Sequence, residues 1–229
     1  MTGMHTRTDF NSDARYWLSG SILGASVLEP LHELNRAWLA LLAVAPRHWA
    51  VSKTGSRLPD PVCSGLITLS VEQRAEVARC PFSLFTARFS DDAYWLGAAR
   101  NLQIPEAPRE DGQADRGLAE FTLLALFFTW HLARTNPSSA KIVLGMSDQT
   151  IKVFAELPLT ILQHLKDGQL GIVCARWPER SWYWLRLLAS SERKEEVDEV
   201  RTLGLQMLAA ELASVSPRGP ATPLASRDP

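Results

Sequence analysis

The stretch that decides the fold is Phe82-Ser83-Leu84-Phe85-Thr86-Ala87-Arg88-Phe89, because a second version follows 88 residues later as Leu170-Gly171-Ile172-Val173-Cys174-Ala175-Arg176-Trp177. The flanking residues also match: Leu69-Ser70-Val71 and Tyr94-Trp95 flank the first version, and Leu157-Pro158-Leu159 and Trp182-Tyr183 flank the second. An ungapped match of apolar positions at one offset indicates that a structural unit has been duplicated. The sequence therefore predicts two related units in one chain.

The composition is that of a folded protein without a strong preference for charged partners. The 229 residues are 46% hydrophobic and include eight Trp and eight Phe, enough apolar side chain for a core in two units of about 100 residues each. With 24 basic and 25 acidic residues the formal charge is -1, so no global field draws the chain to nucleic acid or to an anionic membrane. Any contact with DNA must therefore be local.

Cysteine usage and hydropathy favour a cytoplasmic chain. Cys63, Cys80 and Cys174 are an odd number without Cys-x-x-Cys spacing, which is typical of a reduced protein rather than a disulfide scaffold or a zinc site. The strongest apolar run, 118–133, is interrupted by Glu120 and is shorter than the roughly 20 residues that a membrane-spanning helix needs. We therefore expect no membrane association.

Composition and periodicity divide the chain into five parts. They are an N-terminal arm at 1–26, a first unit at 27–102, a linker at 103–117, a second unit at 118–215 and a disordered, Pro-rich tail at 216–229. The predicted fold class is mainly α. Each unit is expected to begin with a long helix, at 28–45 and 118–134, and to contain one short extended segment, at 84–89 and 170–177.

The two units differ after the long helix. In the first unit, 52–65 includes Pro59-Asp60-Pro61 and has the composition of a loop. In the second, Asn136-Pro137 begins a short helix, Gly145 ends it, and Ser147 or Asp148 caps another helix that runs to Glu156. We therefore expect the first unit to lack an element that the second retains. Further along the first unit, Ser70 and Gln73 predict a capping box.

Residue patterns that carry catalysis or metal binding are missing from the sequence. Lys53-Thr54-Gly55 lacks the companion motifs of serine-acylating enzymes, and the five histidines form no His-x-x-x-His pair. The glycines are scattered and do not form a phosphate-binding loop. We therefore predict no catalytic residues, no metal site and no cofactor, and a protein that is not an enzyme.

Aromatic residues and the arginines near them have two interpretations. The clusters Tyr94-Trp95 and Trp182-Tyr183-Trp184 can stack on bases, but their recurrence in both units favours packing of the following helix against its core. Arg88 and Arg176 each precede an aromatic residue. At these positions a guanidinium can form a structural hydrogen bond or contact a phosphate.

The C-terminal region of the second unit predicts an amphipathic helix. Its apolar stripe, spaced by three and four residues, contains Val197, Val200, Leu203, Met207, Leu208 and Leu212. The stripe can pack on its own domain, or it can pair with a partner protein or a second subunit.

The second unit contains a series of motifs in a fixed order: Leu123-Leu124-Ala125, the run from Ser138-Ser139-Ala140 to Leu144-Gly145-Met146-Ser147-Asp148, Ala155-Glu156-Leu157-Pro158-Leu159, Leu165, 170–177 and Asp198-Glu199-Val200. In these residues it resembles the family of flagellar transcriptional regulators called FlhD. The first unit repeats the pattern in degraded form through Leu34-Asn35-Arg36 and 66–95. Order and spacing of elements carry the likeness, which covers about 118–215.

The resemblance implies a small, mainly helical protein that dimerises through interlocked helices and joins a zinc-binding partner, FlhC, in an activator of transcription. Two tandem FlhD-like units would then form a pseudo-dimer within one chain. Cys174 lies one place from the family's usual cysteine, so an intersubunit disulfide is not carried over.

Two functions follow as hypotheses. The first is a transcriptional regulator that assembles with a FlhC-like partner and promoter DNA, with Lys141, Lys152 and Arg176 as candidate DNA contacts and with self-association as a further property. The alternative is an interaction module without a role at DNA, such as an anti-activator or a scaffold, that offers the C-terminal stripe to another protein.

Overall fold

The computed structural model describes residues 23–44, 58–100, 113–159, 161–162 and 172–215, with the side chains of 113–115, 194–195 and 215 excepted. These ranges are mainly helical. They contain nine helices and two short strands: α1 (Ala25–Val44), α2 (Asp60–Thr68), α3 (Val71–Ala78), β1 (Phe85–Thr86), α4 (Asp92–Arg100), α5 (Gln113–Thr135), α6 (Pro137–Leu144), α7 (Asp148–Glu156), β2 (Cys174–Ala175), α8 (Ser181–Ser190) and α9 (Lys194–Val215). The predicted arm before residue 23, the linker at 103–112 and the tail lie outside the described residues.

The two long helices confirm the periodicity of the sequence. On α1, Leu31, Leu34, Trp38 and Leu42 recur at three- and four-residue steps and are all buried. The helix begins three residues before the predicted position and α5 begins five residues before it. The two helices pack against each other, and Trp38 of α1 lies with its ring centroid 5.1 Å from that of Phe121 on α5.

The expectation of a loop at 52–65 was wrong for its second half. Residues from Asp60 onward form α2, which Pro59 precedes and which carries Pro61 in its first turn. Proline is tolerated there because the first N–H groups of a helix have no intrahelical acceptor, and Asp60 complements the positive end of the helix. Val62 and Leu66 then face the core. A helix therefore begins at Asp60 where a loop was expected, and 52–57 lie outside the described residues.

Helix caps follow the sequence closely. In the predicted capping box, Gln73 N donates to Ser70 Oγ at 3.2 Å, and Ser70 N donates to Gln73 Oε1 at 2.8 Å. In the second unit, Gly145 ends α6 with a positive φ of 66°, and Ser147 Oγ accepts from Thr150 N at 2.9 Å to begin α7. These caps were predicted from residue type and spacing.

The short strands pair with each other in an antiparallel manner. Phe85 pairs with Ala175, and Thr86 pairs with Cys174. Each predicted extended segment thus contributes two residues of strand, fewer than expected, and the strands join the two units of the sequence instead of lying within one.

Two residues with a positive φ follow the strands. Arg88 has a φ of 54° and Trp177 a φ of 51°, and they are 89 positions apart. The segment between α7 and β2 is one residue longer than the segment between α2 and β1. This backbone conformation therefore recurs at an offset of 89, whereas the sequence match of Arg88 with Arg176 has an offset of 88.

Helices from the two halves of the chain pack against each other. Helix α4 lies on α7, where Thr150 Oγ1 donates to Asp92 Oδ1 at 3.0 Å, and α8 lies on α2. The shared core contains Phe85, whose ring centroid lies 5.1 Å from that of Phe121. No helix within the described ranges is long and apolar enough to cross a membrane.

Candidate functional site

Arg176 lies in the interior at the centre of the molecule, with 2% of its surface exposed. Its Nε donates to Ser83 O at 3.0 Å and its Nη2 donates to Ser83 Oγ at 3.0 Å and to Leu144 O at 2.5 Å. The guanidinium therefore links the segment before β1, the C-terminal end of α6 and the residue after β2. This corrects the prediction of a DNA contact at Arg176, because a guanidinium held by buried backbone oxygens cannot reach a phosphate while the fold is intact.

Glu211 of α9 supplies the counter-charge for Arg176. Its Oε2 lies 3.4 Å from Arg176 Nη1 and accepts a hydrogen bond from Trp177 Nε1 at 3.1 Å. Burial lowers the pKa of Arg176, and the Glu211 carboxylate opposes that shift. The C-terminal helix is thus attached to the central network by a charge-assisted contact.

Close approach of α9 to the rest of the protein requires glycine at two positions. A Cβ on Gly204 would lie 2.2 Å from Phe82 Cζ and 2.5 Å from Tyr183 Oη. A Cβ on Gly145 would lie 2.7 Å from Leu208 Cδ1, in addition to the strain of its positive φ. Helix α9 therefore packs flush against both the segment that precedes β1 and the end of α6.

The predicted partner stripe of α9 is largely covered within the chain. Val197, Val200, Met207 and Leu208 are buried, whereas Leu203 and Leu212 are half-buried. These four buried residues pack against their own domain, which was the first of the two interpretations. While α9 is docked they are not available to a second protein.

The two lysines predicted to contact DNA lie on neighbouring helices. Lys141 on α6 donates to both oxygens of Asp148 at 2.8 and 2.9 Å, which offsets its charge. Lys152 on α7 is exposed and forms no ion pair with a described residue. Because Arg176 is interior, the structure does not bring the three candidate DNA contacts together on one surface.

Aromatic residues of the end helices anchor those helices to the core. Trp95 Nε1 donates to Ala87 O at 3.1 Å, and Trp184 Nε1 donates to Arg176 O at 2.8 Å. Each acceptor lies eight residues before its tryptophan. Trp95, Tyr183 and Trp184 are buried, which confirms the packing interpretation for these residues. Trp182, by contrast, is 50% exposed.

An apolar strip on the outside of α8 was not distinguished by the sequence. Trp182 and Leu185, together with Ala189, are exposed and recur at three- and four-residue steps. We call these residues the α8 outer face. The sequence showed the aromatic cluster, but only the structure shows that Trp182 is its exposed member.

The sequence also did not predict a cluster of positively charged side chains around Glu76. Glu76 Oε1 lies 2.8 Å from Arg201 Nη2, and Glu76 Oε2 lies 3.2 Å from Arg79 Nη1, so one carboxylate bridges two arginines. Helix α1 packs on α3 and carries His32 and Arg36 one turn apart, and the charges of Arg201, Arg79 and Arg36 all act on the His32 imidazole. Their separation along the chain gave no motif that could have predicted this cluster.

Cysteine chemistry is suppressed by burial. Cys63, Cys80 and Cys174 are buried, and none of them forms a disulfide with a described residue. Burial raises the pKa of Cys80 to about 12 and that of Cys174 to about 11, so neither is a reactive thiolate near neutral pH. Among the described residues, no group of three His, Cys, Asp or Glu side chains is arranged to hold a metal ion.

Comparisons with protein-family models, with curated proteins and with solved structures give no match to this chain. The function must therefore be inferred from the residues and their contacts.

Proposed function

We propose that this chain is a non-enzymatic, cytoplasmic transcriptional regulator of the FlhD type, built from two tandem units that form a pseudo-dimer. In this proposal it acts by assembling with a zinc-binding, FlhC-like partner that supplies most of the contacts to promoter DNA. The observation that supports it best is the reciprocal packing of elements from the two halves of the chain.

Corresponding elements recur at a nearly constant separation. The long helices α1 and α5 begin 88 positions apart, at Ala25 and Gln113, and α2 and α7 begin 88 positions apart, at Asp60 and Asp148. The end helices α4 and α8 begin 89 positions apart. Such order and spacing are expected when one unit has been copied.

Contacts between the halves are also exchanged in pairs. Helix α4 packs on α7 and α8 packs on α2, so each end helix lies on the short helix of the opposite half. In the strands, Phe85 pairs with Ala175, and Thr86 pairs with Cys174. Cys174 lies 89 positions after Phe85, and Ala175 lies 89 positions after Thr86, so the two pairs are equivalent under exchange of the halves. Reciprocal contacts of this kind are characteristic of a two-fold dimer interface. They agree with the interlocked helices that the family resemblance implies.

The charge distribution supports a co-regulator more than an independent DNA-binding protein. The formal charge of -1 provides no broad basic surface. Arg176 is interior and Lys141 is paired, which leaves Lys152 as the unpaired member of the three candidate contacts. Non-specific affinity for DNA depends on many cationic contacts, so a partner would have to provide most of them.

Two experiments test the two parts of the proposal. For the pseudo-dimer, residues 1–103 and 104–229 are co-expressed as separate chains with a tag on one of them. Recovery of a one-to-one complex is expected, and two independently folded monomers would contradict the pseudo-dimer.

For the regulatory function, the full chain is co-expressed with a FlhC-like protein encoded in the same genome. The purified complex is then tested for zinc content and for a shift of promoter DNA. Failure to form a complex would contradict the regulatory function and would leave the pseudo-dimer standing.

The alternative function is an interaction module that does not act at DNA. The α8 outer face favours it, because exposed Trp182 and Leu185 form an apolar strip of the kind found at protein interfaces. The double variant Trp182→Ser/Leu185→Ser separates the two functions. Loss of the FlhC-like partner would assign this face to the regulatory complex, whereas loss of a partner that does not bind DNA would support the interaction module.

A further inference from the structure

Two arginines are held side by side at the junction of α3 and α9. Arg201 donates through Nη2 to Glu76 O at 2.7 Å as well as to the Glu76 carboxylate. Its side chain is 15% exposed, whereas that of Arg79 is 64% exposed. The Arg201 guanidinium is therefore held in place at this junction, and the Arg79 guanidinium extends into solvent.

Helix α1 brings an imidazole and a third guanidinium to the same place. Asn35 Nδ2 donates to Ala78 O at 3.2 Å and to Phe82 O at 3.0 Å, which fixes α1 against the end of α3. His32 and Arg36 flank Asn35 on this helix. The Nε2 atom of His32 and the Nε atom of Arg201 are both buried without a hydrogen-bond partner among the described residues. Buried polar atoms in folded proteins normally have a hydrogen-bond partner, so these two atoms have capacity for a partner that the described residues do not supply.

Positive charge at this junction exceeds the negative charge that contacts it. Glu76 is shared between Arg79 and Arg201, and Asp198 Oδ1 lies 3.2 Å from Arg201 Nη1. Arg36 forms no ion pair with a described residue. The other charged or titratable groups on the elements around His32 are Glu29 and Glu33 on α1, Glu72 and Arg74 on α3, Cys80 after α3, and Glu196 and Glu199 near Arg201 on α9. The positive charges of Arg201, Arg79 and Arg36 lower the pKa of His32 in addition to the larger effect of burial.

We propose that His32, Arg36, Arg79 and Arg201 form a binding site for an oxyanion of the phosphate or sulfate class. Arg201 is the fixed donor, and the exposed guanidiniums of Arg36 and Arg79 close on the anion from the solvent side. The site goes beyond the proposed function and does not depend on it. The oxyanion can belong to a free phosphate compound or to the backbone of a nucleic acid, and the two sources are distinguished by the probe.

The test is an NMR titration of His32 in the full-length protein, with the resonance assigned by comparison with His32→Gln. Inorganic phosphate is compared with chloride at equal ionic strength. Bound phosphate near the ring favours the charged imidazole, so the pKa of His32 is expected to rise by about one unit. A purely structural cluster would give no difference between phosphate and chloride.

Two double variants make the test specific. In Arg36→Gln/Arg79→Gln the phosphate-dependent shift is expected to disappear, and circular dichroism verifies that the fold persists. The matched control Arg100→Gln/Arg116→Gln removes two exposed arginines that form no ion pair with a described residue, and it should keep the shift. Absence of a shift in the wild type, or an equal shift in both double variants, would overturn the proposal.

A second arm identifies the source of the oxyanion. A short DNA duplex is titrated in buffer without phosphate, and the same His32 resonance is followed. A shift with phosphate alone assigns the site to a free phosphate compound, whereas a shift with the duplex that Arg36→Gln/Arg79→Gln abolishes assigns it to a nucleic-acid backbone. No response to either probe would contradict the site.

Discussion

Arg176 and Glu211 are joined by an ion pair that connects the residue after β2 with the last turns of α9, with Nη1 and Oε2 3.4 Å apart. The arginine is interior, but the carboxylate is on a side chain that is 33% exposed. Glu211 therefore neutralises a buried charge from the edge of the protein, and the C-terminal helix becomes part of the core network.

Removing this carboxylate should destabilise the fold. In Glu211→Ala the buried guanidinium loses its counter-charge and Trp177 Nε1 loses its acceptor, which we expect to lower the free energy of unfolding by about 1–3 kcal/mol. Glu199→Ala is the matched control, since Glu199 on the same helix lies 3.4 Å from Arg186 in an exposed pair. That variant should cost less than about 0.5 kcal/mol. Equal losses in urea denaturation would contradict the role of Glu211.

The close contact at Gly204 gives a second prediction. Gly204→Ala places a methyl group against the Phe82 ring and the Tyr183 hydroxyl, so we expect a loss of about 1–3 kcal/mol despite the better helix propensity of alanine. Gly97→Ala on α4 has no atom within 4 Å of the new Cβ and should instead stabilise the protein by up to about 1 kcal/mol. Thermal unfolding of both variants provides the comparison, and a stabilised Gly204→Ala would show that α9 packs less closely.

The different roles of the tryptophans on α4 and α8 can be tested by substitution. Trp184→Phe removes the hydrogen bond to Arg176 O and leaves a small cavity, for which we expect a loss of about 1–3 kcal/mol. Trp95→Phe should behave similarly, because Trp95 makes the corresponding bond to Ala87 O. Trp182→Phe should change stability by less than about 0.5 kcal/mol. A costly Trp182→Phe together with a neutral Trp184→Phe would contradict this assignment of the buried and exposed tryptophans.

Stability should decrease at mildly acidic pH because of His32. Burial and the charges of Arg201, Arg79 and Arg36 lower the pKa of His32 below its ordinary value of 6.5. As the pH falls below about 6.5, the unfolded chain takes up the proton before the folded one, so stability is lost until the pH passes the lowered pKa of the folded state. Denaturation in phosphate-free buffer at pH 7.5 and 5.5 should show a smaller loss for His32→Gln than for the wild type. The control is His131→Gln, which alters an exposed side chain on α5. An unchanged pH dependence in His32→Gln would contradict the assignment.

Local patterns in the sequence predicted the elements that depend on local interactions. The period of Leu31, Leu34 and Trp38 predicted α1, and Ser70 with Gln73 predicted the cap of α3, because helix periodicity and capping involve residues within one or two turns. Pro59-Asp60-Pro61 was misinterpreted because the same residues favour a turn or the first turn of a helix, and packing of Val62 and Leu66 decides between them.

Features that depend on tertiary contacts were not predictable from the sequence. The positive φ occurs at Arg88 and Trp177, 89 positions apart, although the matching Ala-Arg-aromatic sequences are 88 positions apart, so the sequence match does not locate it. The position of Arg176 depends on Ser83, Leu144 and Glu211, which are brought together only by the fold. The cluster around His32 likewise consists of residues that only the fold brings together.

The most direct test of the central claim is affinity capture of the tagged protein from its own cells, at moderate salt and after nuclease treatment, followed by mass spectrometry. The proposed function predicts stoichiometric recovery of a zinc-binding, DNA-binding protein, and the purified complex should shift promoter DNA that neither component shifts alone. Recovery of only the protein itself, or of a stoichiometric partner that binds neither zinc nor DNA, would contradict it.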